Sequence, residues 1–187
     1  MMRKILTRVG IGVGAATVLV VAVGFLLPRT FEVSKTMVIK AKPARIHEFT
    51  GDLARWNQWA PWLKDDPTLV VTPGEKTTGA GASQTWSGKS SDGHLAFTRS
   101  DPTWGISYNM AFGKSTYEAT GSLLYRKVPE GTEVVWSMTG DNGRNIMARY
   151  FGFLMPSMIG PMFDEGLARL KLISERADST ASAVPES

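Results

Sequence analysis

The stretch that decides the fold is LARWNQWAPW at residues 53–62. It holds three of the six tryptophans of the chain, at a point where a predicted short helix gives way to a loop. Each buried indole removes roughly 150 to 250 Å² of surface from water. So much aromatic surface is not expected to stay exposed, and the segment is predicted to close one end of a core or a pocket.

The N-terminal part of the chain has the pattern of a membrane anchor. Residues 1–8 carry Arg3, Lys4 and Arg8, and residues 9–27 form an uncharged apolar run. As a helix, that run would be roughly 28 Å long, about the thickness of the hydrocarbon core of a bilayer. The basic residues before it predict a cytoplasmic N-terminus and an extracytoplasmic domain. The alternative is an exported protein with a cleaved signal peptide, which shares the basic start and apolar continuation.

Charge and composition limit the kinds of partner that the chain after residues 1–8 can bind. Residues 1–8 carry three basic and no acidic residues, so removing them lowers the net charge from +4 to +1. The predicted domain at residues 30–176 therefore has no basic excess for nucleic acid. It also has no cysteine and must be stabilised by its core alone. Residues 177–187 are small and polar and are predicted to form a disordered tail. The sequence does not indicate an oligomeric state.

Patterns between residues 30 and 176 predict one α+β domain. Alternating apolar and polar residues predict strands at 31–41, 69–72, 82–89, 94–101, 105–112, 115–128 and 132–139. The alternation in the later strands is typical of an antiparallel sheet with one solvated face. Residues 43–56 predict short helices. Residues 145–176 predict a long helix that Pro156 and Pro161 break or kink, with an apolar stripe against the sheet.

Four segments of this domain resemble the START-like, helix-grip superfamily, often labelled SRPBCC or polyketide cyclase/dehydrase. They are Val38 to Pro43, Leu53 to Trp62, the glycine-rich turn at 79–81 before Trp86, and Phe163 to Lys171. The resemblance implies a curved antiparallel sheet wrapped around a long C-terminal helix, with a largely apolar cavity between them. It also implies binding of lipids, steroids or polyketides. Only a few members of the superfamily are enzymes.

The predicted ligand site is formed by the apolar inner faces of this fold. Aromatic and methionine side chains can line an adaptable pocket. Those expected to face the cavity are Trp59, Trp86, Tyr108, Trp136, Met138, Met158, Met162 and Phe163. The same residues can equally fill a solid core, so both interpretations stay open at this point.

The sequence offers little for catalysis or metal binding. It has no cysteine nucleophile, and His47 and His94 are both expected on the solvated surface. A catalytic zinc needs three converging protein ligands, and no His, Asp or Glu cluster has such spacing. Neither a metal nor another cofactor is predicted. Asp101 and Glu118 are the polar groups that an enzyme pocket could use.

These patterns favour one function and leave two alternatives. The favoured function is a single-pass, membrane-anchored domain that holds a hydrophobic small molecule or lipid in an apolar cavity without changing it. The first alternative is an enzyme of the polyketide cyclase or dehydratase type. The second is a non-catalytic structural or stress-related envelope protein whose cavity is collapsed.

Overall fold

A computed structural model describes residues 2–62, 66–89, 92–113 and 117–182. Its helices are α1 (Met2–Leu26), α2 (Pro43–Thr50), a short 3-10 helix (Leu53–Gln58) and α3 (Ile146–Ser182). Its strands are β1 (Thr30–Ile39), β2 (Val70–Pro73), β3 (Ser83–Ser87), β4 (Asp92–Asp101), β5 (Gly105–Phe112), β6 (Tyr117–Val128) and β7 (Gly131–Asp141). The predicted α+β class is confirmed, with strand bounds close to those expected. The predicted start of β6 at residues 115 and 116 lies outside the described residues.

The described strands form one antiparallel sheet in the order β1-β7-β6-β5-β4-β3-β2. Successive side chains of a strand point to opposite faces, and in β7 the buried positions alternate regularly with partly exposed ones. The turn between β6 and β7 needs a glycine at Gly131, where φ is +139° and a Cβ would overlap the carbonyl oxygen of Ile39. The predicted antiparallel sheet with one buried face is thus confirmed.

The C-terminal half of α3 packs on the sheet next to β1. Phe163, Leu167 and Leu170 are buried at helical spacing. An ion pair of 2.6 Å between Lys35 and Asp164 lies beside this contact. The apolar stripe predicted for the final helix therefore does bury itself against the sheet.

Side chains of α3 also cover the outer edge of β1. Lys171 Nζ donates to the carbonyl oxygen of Val38 at 2.9 Å, and the amide of Lys40 donates to the carboxylate of Glu175 at 2.8 Å. Lys171 and Glu175 pair with each other at 2.6 Å. These contacts satisfy backbone groups that an edge strand leaves without a neighbouring strand.

The final helix differs from its prediction in length and continuity. It runs through Pro156 and Pro161 without the predicted break, and both prolines lie on its exposed side. The side that packs on the protein therefore carries neither ring. The helix also extends to Ser182 and so includes the first part of the predicted tail, whereas residues 183–187 lie outside the described residues.

The N-terminal segment is helical from Met2 to Leu26. Among the residues whose side chains the structure describes, which in α1 begin at Gly12, no helix is both long and apolar enough to cross a bilayer.

Candidate functional site

The tryptophan segment is held in place by its own short helix. Asp52 caps this helix with its side chain. The indole N–H groups of Trp56 and Trp59 donate to the backbone carbonyls of Thr50 and Phe49 at 2.8 and 3.1 Å. Both indoles are almost completely buried. The prediction that this segment closes one end of the core is therefore confirmed for these two residues.

These indoles belong to an aromatic cluster between the sheet and α3. Its members are Trp56, Trp59, Trp62, Phe97, Tyr108, Trp136 and Phe163. Most neighbouring centroids lie 5.2 to 5.8 Å apart, whereas Trp136 and Phe163 stack at 3.9 Å with an interplanar angle of 4°. Each such pair contributes about 0.5 to 1.5 kcal/mol beyond its buried area. The cluster is therefore a rigid block of rings.

One hydrogen bond lies inside the aromatic cluster. Trp136 Nε1 donates to the hydroxyl oxygen of Tyr108 at 2.9 Å. Burial raises the pKa of Tyr108 to about 12, and the hydrogen bond from the indole opposes part of that rise. The phenol therefore stays neutral at physiological pH and can donate a hydrogen bond, but it is a poor proton donor for catalysis.

Glycines on the inner face let aromatic rings lie flat on the backbone. A Cβ at Gly121 would overlap the ring of Tyr108, and one at Gly93 would overlap the ring of Trp86. Each glycine lies on the strand next to that of its ring. Tyr108 of β5 pairs with Gly121 of β6, and Trp86 of β3 pairs with Gly93 of β4. The rings thus occupy the volume in which a cavity was predicted.

The structure places the predicted cavity residues in three environments. Those buried in or beside the aromatic cluster are Trp59, Tyr108, Trp136, Met138 and Phe163. Met162 and Trp86 are partly exposed. The prediction for Met158 is wrong, because its side chain is on the solvent side of α3 and is 57 % exposed. Met162 lies at the margin of the buried face. Met158 is four residues earlier, and because a helical turn has 3.6 residues it lies further around the helix, on the outer side.

Two surface hollows lie away from the aromatic cluster. One, of about 420 Å³, is lined by residues 40–43 and 127–132 at the β6–β7 turn. The other, of about 330 Å³, lies at the edge of the sheet formed by β2, β3 and β4. Of the predicted cavity residues, only Trp86 lines either hollow.

A partly exposed apolar surface remains on the inner face of β3 and β5. Trp86, Met110 and Phe112 form it, and the rings of Trp86 and Phe112 lie 5.8 Å apart. On the same face of β3, Gln84 is only 6 % exposed, and its side-chain amide forms no hydrogen bond with a described residue but is not sealed from solvent. We call these four residues the inner-face patch. An amide at the margin of an apolar surface can give a ligand with a polar end a hydrogen-bond partner.

A second polar group lies between α2 and the sheet. His47 is half-buried, with its Nε2 3.1 Å from Ser100 Oγ and its Nδ1 3.4 Å from the hydroxyl of Tyr125, which also bonds Thr50. Burial lowers the pKa of His47, and the carboxylate of Asp101 opposes this weakly. The expectation of a solvated His47 is therefore wrong, whereas His94 is exposed as expected. A neutral imidazole between hydroxyl groups can hold those groups in place and can accept a proton.

Asp101 is held by local contacts. Its carboxylate accepts hydrogen bonds from Thr103 and from the backbone of Trp104, which hold its pKa below the usual range. Glu118 is exposed. Among the described residues there is no group of three or more His, Asp or Glu side chains that could hold a metal ion.

Sequence reasoning missed three members of the inner-face patch. The alternation of β5 places Met110 and Phe112 on the same face as Tyr108, and Gln84 is two residues from Trp86. A polar residue on an otherwise apolar strand face is the signal that could have identified Gln84.

The fold and the patch together define a helix-grip protein with an apolar inner surface. The chain belongs to the polyketide cyclase / dehydrase and lipid transport family, whose model matches residues 30–175. No curated protein matches the chain significantly.

Solved structures show the same fold at low sequence identity. A Chromobacterium violaceum protein is 14 % identical with a TM-score of 0.56, and the alignment covers 80 % of this chain and 99 % of that one. A hypothetical protein of Helicobacter pylori is 10 % identical with a TM-score of 0.58, covering 76 % and 87 %. DynU16, a protein of the dynemicin biosynthetic locus, is 14 % identical with a TM-score of 0.55, covering 81 % and 49 %. At these identities the similarity shows the fold alone.

Proposed function

We propose that this protein binds an apolar small molecule or lipid at the inner-face patch, without changing it chemically. The observation that carries the proposal is the amide of Gln84, which bonds no described residue, beside the partly exposed Trp86, Met110 and Phe112. Apolar sites with a few well-placed polar groups are typical of ligand binding. The family to which the chain belongs, which includes lipid transport in its description, supports this choice.

The binding energy would come mainly from the burial of apolar surface, at about 25 cal/mol per Å². Met110 adapts to irregular ligand shapes because its side chain is flexible and polarizable. Gln84 would orient a hydroxyl, ester or carboxyl end, since an amide can both donate and accept hydrogen bonds. Because the aromatic cluster fills the deeper space, a long ligand needs ring displacement to enter further.

We also propose that α1 anchors the domain in a membrane, with the N-terminus cytoplasmic and residues 30–176 outside. The support is the uncharged run at residues 9–27 and its basic flank, together with an unbroken helix from Met2 to Leu26. The full-length chain should stay with the membrane pellet after alkaline washing. Release into the supernatant would contradict the anchor, and loss of the N-terminal segment from the mature mass would favour the cleaved signal.

Two alternatives rest on specific observations. The contact between His47 and Ser100 provides a base beside a hydroxyl, which favours an enzyme of the cyclase or dehydratase type. The stacked pair of Trp136 and Phe163 fills the predicted cavity, which favours a structural envelope protein with a collapsed interior.

Photo-crosslinking separates the three functions. The full chain in lipid nanodiscs is illuminated with a diazirine-bearing fatty acid, and adducts are mapped by mass spectrometry. We expect adducts on β3 and β5 that excess unlabelled fatty acid suppresses. Phe112→Ser should weaken this labelling about tenfold, the equivalent of one buried aromatic contact. Asn109→Ser, on the exposed face of the same strand, is the matched control.

Each other outcome points to a different function. Adducts confined to α1 that competitor does not suppress would show that the patch binds no ligand and would favour the structural protein. Saturable adducts together with a chemically altered probe in the recovered lipid fraction would favour the enzyme, most directly if His47→Gln abolished the alteration.

A further inference from the structure

The first half of α3 carries an apolar stripe that faces away from the protein. Met147, Phe151, Leu154 and Met158 are 64, 56, 50 and 57 % exposed. Their spacing of four, three and four residues places them on one face of the helix. The packed face of these turns includes the buried Gly152. Aligned, exposed side chains of this size are unusual on a soluble surface and mark an interaction site.

Contacts between α3 and α1 locate this stripe. Tyr150 donates its hydroxyl proton to the carbonyl of Val20 at 2.6 Å, and Arg149 Nη1 donates to the carbonyl of Phe25 at 3.1 Å. Gly24 lies against Ile146, since a Cβ there would overlap that side chain. The stripe therefore begins beside the C-terminal turns of α1.

Exposed apolar side chains also lie on α1, beside which the stripe begins. The C-terminal turns of α1 expose a matching set of apolar side chains: Val18, Leu19, Val20, Val21, Val23, Phe25 and Leu26. Arg144, just before α3, is exposed, and the described residues give it no acidic partner. An unpaired cation at the margin of an apolar face suits an anionic lipid headgroup.

We propose that the stripe of α3 lies in the boundary between headgroups and acyl chains of the bilayer that α1 enters. This inference rests on the proposed anchor and adds a second membrane contact to it. A helix with such a face is buried about 5 to 10 Å into that boundary. The occupant of the stripe is therefore lipid, because the stripe begins beside the exposed apolar turns of the proposed anchor.

Site-specific quenching tests this contact in the full-length protein. The chain has no cysteine, so the single substitutions Leu154→Cys, Val23→Cys and Leu172→Cys each carry one environment-sensitive fluorophore. Leu172 is the matched control, since it lies on the same helix and is 55 % exposed, close to the 50 % of Leu154. The labelled proteins are placed in vesicles of phosphatidylcholine and phosphatidylglycerol, with or without bromine on the acyl chains.

We expect bromolipid to quench Leu154→Cys at least about threefold more than Leu172→Cys, as burial to this depth requires. Quenching at Val23→Cys with none at Leu154→Cys would overturn the inference and leave the anchor intact. No quenching at Val23→Cys would show that the anchor itself has failed, and the inference with it. Disulfide cross-linking of unlabelled Leu154→Cys by an added oxidant, together with no bromolipid quenching of the labelled protein, would show that a second copy covers the stripe, which also overturns it.

Discussion

Replacing Trp136 with alanine tests whether the aromatic cluster holds the fold. Trp136 is fully buried, stacks on Phe163 and donates a hydrogen bond to Tyr108. Truncating a large buried aromatic costs about 3 to 5 kcal/mol, and an unbonded phenol adds about 1 kcal/mol or more. For a protein of this size, 3 to 5 kcal/mol corresponds to a fall in Tm of about 6 to 20 °C. Thermal unfolding of the full chain in detergent, followed by near-ultraviolet circular dichroism, measures the change.

A matched substitution and a small ligand sharpen this test. Trp104→Ala removes a partly exposed indole that lies 3.9 Å beneath the guanidinium of Arg99, and should cost only about 1 kcal/mol. The void left by Trp136→Ala is apolar, and such voids stay dry and bind small aromatic molecules. Indole at one hundred times its Kd should then restore about 2.7 kcal/mol. A fall in Tm no larger than that of Trp104→Ala would refute the role of the cluster.

Three further predictions concern single positions. Gly121→Ala should destabilise the domain by about 1 to 3 kcal/mol because its methyl group displaces the ring of Tyr108, whereas Glu118→Ala on the exposed face of the same strand should be nearly neutral in urea unfolding. Gln84→Leu should change the urea midpoint little, because its amide bonds no described residue, and should weaken the labelling of a probe with a polar end. Stability should fall as pH is lowered below about 6.5, because the unfolded chain then binds a proton at His47 that burial disfavours in the folded state; His47→Gln should flatten this dependence. Equal pH profiles for the variant and the parent would contradict that assignment.

Local periodicity made the sheet predictable from the sequence. Side chains of a strand alternate between faces with a period of two, so the buried faces of β5, β6 and β7 follow from residue order alone. The burial of Trp56 and Trp59 followed from the size of their rings. Neither inference needs knowledge of which strands are neighbours.

The packing of rings on the inner face was not predictable because it depends on pairs that are distant in sequence. The ring of Tyr108 lies on Gly121 only because β5 and β6 pair in that register. His47 is half-buried by contacts with Ser100 and Tyr125, which are 53 and 78 residues away in the sequence. Met158 failed for a different reason, since it lies one turn before Met162, which is at the margin of the buried face, and so points outward.

The side chains that cover β1 also bear on how copies of this protein coexist. A sheet has two edges, and exposed edges are the usual start of strand-to-strand aggregation. Here Lys171 and Glu175 occupy backbone groups of one edge, and the other edge is the four-residue β2, which ends in Pro73 and offers little to pair with. The proposed anchor would confine the protein to two dimensions, where collisions between like molecules are frequent. Edge protection of this kind would let many copies share one membrane without joining their sheets.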